Sequence, residues 1–189
     1  MKVSQQGNTV ILEDIKHFNP KHIFECGQCF RWIKQEDDSY TGVAMGKVIN
    51  VKQDGDKIYL DNTTKEDFDN IWYDYFDLGR DYEEMVNTLK VMDEYLEKAT
   101  EFGEGIRILK QDGWEMLISF IISANNRIPM IQRAINNLSK NFGTYIGEYK
   151  GQEYYAFPTS ESMWWIITCV QVGVGNKKSI LHINMVYFT

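Results

Sequence analysis

The sequence predicts an α+β fold: an N-terminal antiparallel β-sheet with flanking helices, followed by the first part of an α-helical domain. Two observations carry this. Short β-rich runs separated by polar turns fill the first sixty residues. Apolar residues then recur at three- and four-residue spacing behind helix-capping signals. Strands first and helices afterwards is the α+β order.

The predicted strands are Val10 to Leu12, Cys29 to Ile33, Tyr40 to Val51 and Lys57 to Leu60. Polar turns at Gln35 to Ser39 and Gln53 to Asp56 divide them. Thr63 and Glu66 make a capping box ahead of Phe68, Ile71, Trp72 and Tyr75. Tyr82, Met85, Val86, Leu89, Met92, Leu96 and Ala99 mark one face of a single long helix. Asp112, with Glu115 three residues on, caps the next helix, whose residues from Trp114 to Ile122 are apolar on every side. Such a helix belongs at the centre of a domain. Pro129 opens its partner, Ile128, Ile131, Ile135, Leu138 and Phe142 form the inner face, and Gly143 ends it. Two domains follow from this pattern, at residues 1–110 and 111–189.

The 189 residues are 43% hydrophobic and 14% aromatic, ample for a core, and the chain shows no internal repeat. No apolar run approaches the ~20 residues that cross a bilayer, and the N-terminus lacks a signal-peptide core, so a soluble intracellular (cytoplasmic) protein is expected. Three cysteines suit a reducing compartment. The net charge of −7 argues, on average, against nucleic acid. The acids crowd residues 61–104, however, and none follows Glu161, so a local site can differ from the mean.

Four clusters are candidates for chemistry. Cys26 and Cys29 have the spacing of half a zinc site, but no second pair exists and no metal is expected. Gly27-Gln28-Cys29-Phe30-Arg31-Trp32 places a glycine at a strand start, either as a plain turn or as a point of close backbone approach to a ligand. Asn125-Asn126-Arg127 lies between two helices, where asparagines either cap or meet a base edge. Unpaired buried amides there would cost about 1–3 kcal/mol each. Gly173 to Lys178 is glycine-rich and basic but lacks the P-loop spacing.

In their order, these segments resemble the 8-oxoguanine DNA glycosylase/AP lyase family of the helix–hairpin–helix glycosylase superfamily. GQCFRW is similar to the family's Gly-Gln-(Ser/Cys)-Phe-Arg-Trp strand, ISFIISANNRI to its helix ending in Asn-Asn, and the spacing onward to YYAFP (Tyr154 to Pro158) also fits. The likeness runs from about residue 10 to about residue 160. It implies a base-excision repair protein acting on damaged double-stranded DNA, without a cofactor. Such enzymes flip the damaged guanine out of the duplex. A lysine amine attacks the sugar carbon, expels the base and forms a Schiff base that can cleave the strand, with an aspartate assisting.

The nucleic-acid-binding residues implied are Gly27, Gln28, Phe30, Asn125, Asn126, Arg127, Met130 and Lys177. At the position of Gly27 the family's backbone carbonyl accepts from the N7 hydrogen that marks 8-oxoguanine. The position of Asn125 contacts the orphaned cytosine. Met130 stands where many relatives have arginine, which implies relaxed opposite-base selectivity, because methionine has no donor. Lys177 matches either the catalytic lysine after a Gly-Val-Gly turn or, on spacing, an earlier loop that contacts backbone or base. No Asp follows Glu161, so the assisting acid is absent from these residues and little or no catalysis is expected of them. The last residues, SILHINMVYFT, leave the family pattern, as a truncated or frame-shifted product, or an excised fragment, would. The alternative is a catalytically dead or non-enzymatic module that binds DNA or protein.

Overall fold

A computed structural model of the protein describes residues 1–163. The chain divides into two compact units, Met1–Gln111 and Asp112–Thr189. No helix among the described residues is long and apolar enough to cross a membrane.

The first unit is built on a six-stranded antiparallel sheet in the order β1-β2-β6-β5-β4-β3. Its strands are β1 (Lys2–Gln6), β2 (Thr9–Glu13), β3 (Trp32–Lys34), β4 (Tyr40–Ala44), β5 (Lys47–Asp54) and β6 (Lys57–Asp61). The predicted run from Tyr40 to Val51 is thus two strands. Met45 and Gly46 both have positive φ and form the two-residue hairpin turn whose twist matches antiparallel strands. The predicted strand from Cys29 shortens to β3, because Cys29 to Arg31 still belong to the loop leaving α1 (Pro20–Glu25).

Alternate residues of the sheet, Val10, Leu12, Ile49, Val51, Ile58 and Leu60, are fully or almost fully buried on one face. They pack with Phe18, Ile23 and Phe24 from around α1 and with Phe68, Trp72, Tyr75 and Phe76. The latter lie on one continuous helical run: α2 (Lys65–Asp67), a π-turn at Phe68–Trp72, and α3 (Tyr73–Tyr75). Its cap is Thr64, whose side chain accepts from the Asp67 amide, and not the Thr63 that the capping-box spacing indicates. Thr63 is instead buried and accepts from Trp72 Nε1 at 2.7 Å. A buried indole N–H needs such a partner, and that need outweighs the local motif.

The single long helix expected after Tyr82 is two, α4 (Tyr82–Lys90) and α5 (Glu94–Phe102), capped separately by Asp81 and Asp93. Asp93 breaks the run because its carboxylate accepts from the amides of Tyr95 and Leu96 and starts a new helix. Residues 105–111 then return across the unit. The Gly105 carbonyl accepts from the Asn19 amide (2.9 Å) and the Lys110 amide donates to Tyr75 O (2.9 Å).

In the second unit, α6 (Gly113–Ser123) is capped by Asp112, whose carboxylate accepts from the Glu115 amide at 2.8 Å. α7 (Ile128–Phe142) carries Pro129 in its first turn and buries Ile131, Ala134, Ile135 and Ser139. A hairpin of β7 (Tyr145–Tyr149) and β8 (Gln152–Tyr155) follows. Trp114 Nε1 donates to Pro158 O at 3.0 Å, fastening the start of α6 to the end of the YYAFP stretch. The expectation that α6 is buried all round fails. Leu117, Phe120 and Ile121 are 53%, 73% and 52% exposed, and only Ser119 is buried. An apolar helix is covered only where neighbours reach it, and among the described residues α7 covers part of its surface.

Candidate nucleic-acid interface

The first group of candidate residues sits where α1 ends. Asn19 caps that helix, accepting from the amides of Lys21 and His22, and Pro20 sits in its first turn. Cys26 closes the helix and Gly27 follows at φ +88. This left-handed conformation, one residue past the helix end, is where glycine avoids a steric penalty. No atom of the protein lies within 4 Å of the place a Gly27 Cβ would occupy, so crowding by the chain does not demand the glycine. The backbone there is exposed and faces open space.

Gln28 holds this turn in place. Its Nε2 donates to Ile23 O (2.9 Å) and Arg107 O (2.8 Å), and its Oε1 accepts from the Leu109 amide (3.0 Å). Its own carbonyl accepts from Gln111 Nε2 at 2.7 Å. Both amide hydrogens are therefore spent inside the protein. The strap at 105–111 is anchored in turn by Arg107, which is buried. Its Nε donates to His17 O (2.7 Å), Nη1 to Asp77 O (2.9 Å) and Nη2 to Lys16 O (3.0 Å), with the guanidinium 4.5 Å over the Tyr82 ring. Burial lowers the Arg107 pKa from its usual value, opposed by Tyr82 and Asp77. Arg107 and Gln111 were not singled out in the sequence. A cation between Ile106 and Ile108 was the available signal, since a charge inside an apolar run needs partners.

Beyond Gly27, Phe30 is half-buried and Trp32 is buried, stacked on Phe24 at 4.0 Å and donating to Tyr75 OH at 3.0 Å. Cys26 is exposed and Cys29 buried; their thiols donate to Ile23 O and Phe24 O. Among the described residues no three His, Cys, Asp or Glu side chains gather as a metal site. A cavity of about 270 Å³ in this unit, lined by Lys16, His17, Arg80, Tyr82 and Arg107 among others, involves neither Gly27 nor Phe30.

The second group forms the α6–α7 junction, and the two asparagines have different jobs. Asn126 serves the turn: its Nδ2 donates to Ile122 O (3.4 Å), its Oδ1 accepts from the Arg127 amide (2.9 Å), and its amide donates to Ser123 O (3.2 Å). Asn125 stands at φ +54, a conformation asparagine tolerates better than most residues, with an exposed side chain. No hydrogen bond joins that side chain to another described residue. Arg127 is exposed and starts α7, its carbonyl accepting from the amides of Met130 and Ile131. Met130 is 37% exposed. Lys177 lies outside the described residues, as does the whole Gly173 to Lys178 stretch.

Comparison with known proteins gives the chain its family. Residues 10–117 match the family model described as 8-oxoguanine DNA glycosylase, N-terminal domain. The chain is 33% identical over 156 residues to a Saccharomyces cerevisiae N-glycosylase/DNA lyase, a stretch covering 75% of this chain and 41% of that protein. It is similar in structure to the apo form of Clostridium acetobutylicum 8-oxoguanine glycosylase/lyase, with TM-score 0.82 and 48% identity over 85% of this chain and 56% of that one. It is also similar to that enzyme in complex with double-stranded DNA containing cytosine opposite 8-oxoguanine, with TM-score 0.83 and 44% identity over 97% of this chain and 59% of that one. The chain thus spans well under two thirds of the length of these relatives.

Proposed function

Because the chain belongs to the 8-oxoguanine DNA glycosylase family, we propose that it recognises 8-oxoguanine in double-stranded DNA as part of base-excision repair. The observation that carries this reading is the Gly27 turn: an exposed glycine at φ +88 before open space, held by a glutamine whose donors are all used internally. A braced backbone group suits a task in which one hydrogen on N7 separates lesion from guanine. Such discrimination needs an acceptor at a set place, and an exposed, mobile side chain would supply it poorly.

Asn125 supports the reading from the second unit. Its amide is free to meet the edge of the base left unpaired when the lesion is flipped out, while Asn126 holds the turn and Arg127 offers charge for a phosphate. Met130 has no donor for a cytosine, so opposite-base selectivity is relaxed. Lys177 is then a backbone or base contact, or the amine that attacks the sugar. An intracellular, cytoplasmic location is part of the same proposal.

A duplex-binding titration tests the reading. The 189-residue protein should bind a duplex with 8-oxoguanine more tightly than the same duplex with guanine, and Gly27→Val should erase the difference while leaving weak general binding. Equal affinity of the unaltered protein for both duplexes would overturn it.

Borohydride trapping on a lesion duplex tests the role of Lys177. A covalent adduct through Lys177 is the outcome expected of the attacking amine, and its absence assigns Lys177 to a backbone or base contact.

A further inference from the structure

The stretch from Met116 to Gly147 contains no Asp or Glu, although 27 of the chain's 189 residues are acids. Its charged residues are Arg127, Arg133 and Lys140. Helix α7 runs through this stretch and divides into two faces. Ile131, Ala134, Ile135 and Ser139 are buried, with Leu138 and Phe142 half-buried beside them. Met130, Arg133, Asn137 and Lys140 follow one another at spacings of three, four and three, which aligns them along the other side. All four are exposed. The stripe begins in the α6–α7 junction, one turn beyond Arg127, and runs most of the length of the helix.

The charges on this stripe are not spent inside the protein. Most exposed lysines of the first unit hold a carboxylate, as Lys16 holds Glu83 at 2.8 Å and Lys110 holds Asp74 at 2.6 Å. Neither Arg133 nor Lys140 has an ion-pair or hydrogen-bond partner among the described residues. The Asn137 side chain donates to no described residue either, although its carbonyl accepts from Asn141 Nδ2 at 2.7 Å. A row of cations and an amide donor with no acid among them suits a polyanion. At about 1.5 Å of rise per residue, Arg133 and Lys140 stand about 10 Å apart along α7. Phosphates of one DNA strand advance about 3.4 Å each along the duplex axis, so the pair spans about three of them. We propose that the outer face of α7 is a backbone contact for duplex DNA, in which Arg133 and Lys140 meet phosphates and Asn137 donates to a phosphate or sugar oxygen between them. The proposal rests on the reading of this chain as a DNA-binding protein. It adds a sequence-independent grip to the base-reading roles of Gly27 and Asn125, and it sets a local cationic face against the chain's acidic average.

The test measures binding of the full 189-residue protein to a guanine duplex and to the same duplex with 8-oxoguanine, over a series of salt concentrations. Arg133→Gln with Lys140→Gln should weaken both complexes by about tenfold and lower the slope of log affinity against log salt by about 2, since each phosphate contact contributes about 0.9. The ratio between the two duplexes should stay as it is, because phosphate contacts carry no base information. The thermal midpoint should not move, since both side chains are exposed. Arg133→Lys with Lys140→Arg should restore the slope. Lys90→Gln, which removes an exposed lysine of the first unit, should leave the slope unchanged. Lesion preference in the unaltered protein together with an unchanged slope in the Gln double variant would overturn this proposal and leave the lesion reading standing. An equal fall in slope on Lys90→Gln would also overturn it, because net charge and not the α7 face would then set the affinity. Failure of the unaltered protein to bind either duplex would overturn both readings.

Discussion

Replacing Gln28 with Met tests whether that side chain braces the Gly27 turn or reaches for DNA itself. Methionine keeps the length and most of the volume, so little cavity is created, but it removes two donated hydrogen bonds and one accepted. Ile23 O, Arg107 O and the Leu109 amide each lose a partner. At about 1 kcal/mol net per bond, the loss is about 3 kcal/mol, and about 2 kcal/mol if water reaches one of these part-buried groups. That is roughly a thirtyfold to hundredfold shift in the folding equilibrium. Urea denaturation followed by tryptophan fluorescence reads it, because Trp32 is the first strand residue after the loop and is stacked in the core. Lesion preference should fall together with stability, and high protein concentration or a stabilising osmolyte should restore part of it. A Gln28→Met protein with stability within about 0.5 kcal/mol of the original but with lost lesion binding would refute the brace.

Three further outcomes are expected. Gly42→Ala should destabilise the sheet by about 1–3 kcal/mol, since the added carbon would land within the Trp32 indole directly across the β3–β4 pair; a thermal midpoint and the Trp32 emission read it. The Ser39 hydroxyl foremost, with the Ser39 amide and Lys52, holds the Asp37 carboxyl at about 2, against an ordinary value of 3.8. A lowered folded pKa means stability that is present above pH 4 and lost as pH falls toward 2, so Asp37→Asn should flatten the acid limb of stability in that window, as followed by acid titration of circular dichroism. Met130→Arg should sharpen preference for cytosine opposite the lesion by about 1–3 kcal/mol, measured on duplexes bearing each opposite base; no change would remove Met130 from the interface.

Local chemistry made much of this protein legible in its sequence. The turn at Gln53 to Asp56, the Asp112 cap and the stop at Gly143 depend on groups within a few residues of one another, and the structure has them. The GQCFRW and Asn-Asn segments marked the two candidate clusters, the first of which lies within the matched residues 10–117. Readings failed where a local motif competed with a distant partner. Thr63 has capping spacing, yet Trp72 claims its hydroxyl and Thr64 caps instead. The run from Tyr82 to Ala99 has helical spacing throughout, yet α4 stops at Lys90 and Asp93 opens a second helix, leaving Met92 and Ala99 exposed.

The sequence by itself determined the α+β order, the polar turns at Gln35 to Ser39 and Gln53 to Asp56 and the identity of the two candidate clusters, because strand alternation, turn residues and helix caps act over one to four residues. Only the tertiary structure decided which polar side chains are free to act. Gln28 and Asn126 are consumed by the fold and Asn125 is not. The partners that consume Gln28 come from residues about eighty positions away. A contact across so long a stretch of chain is set by how the sheet, α1 and the returning strap close on one another, and no local spacing records it.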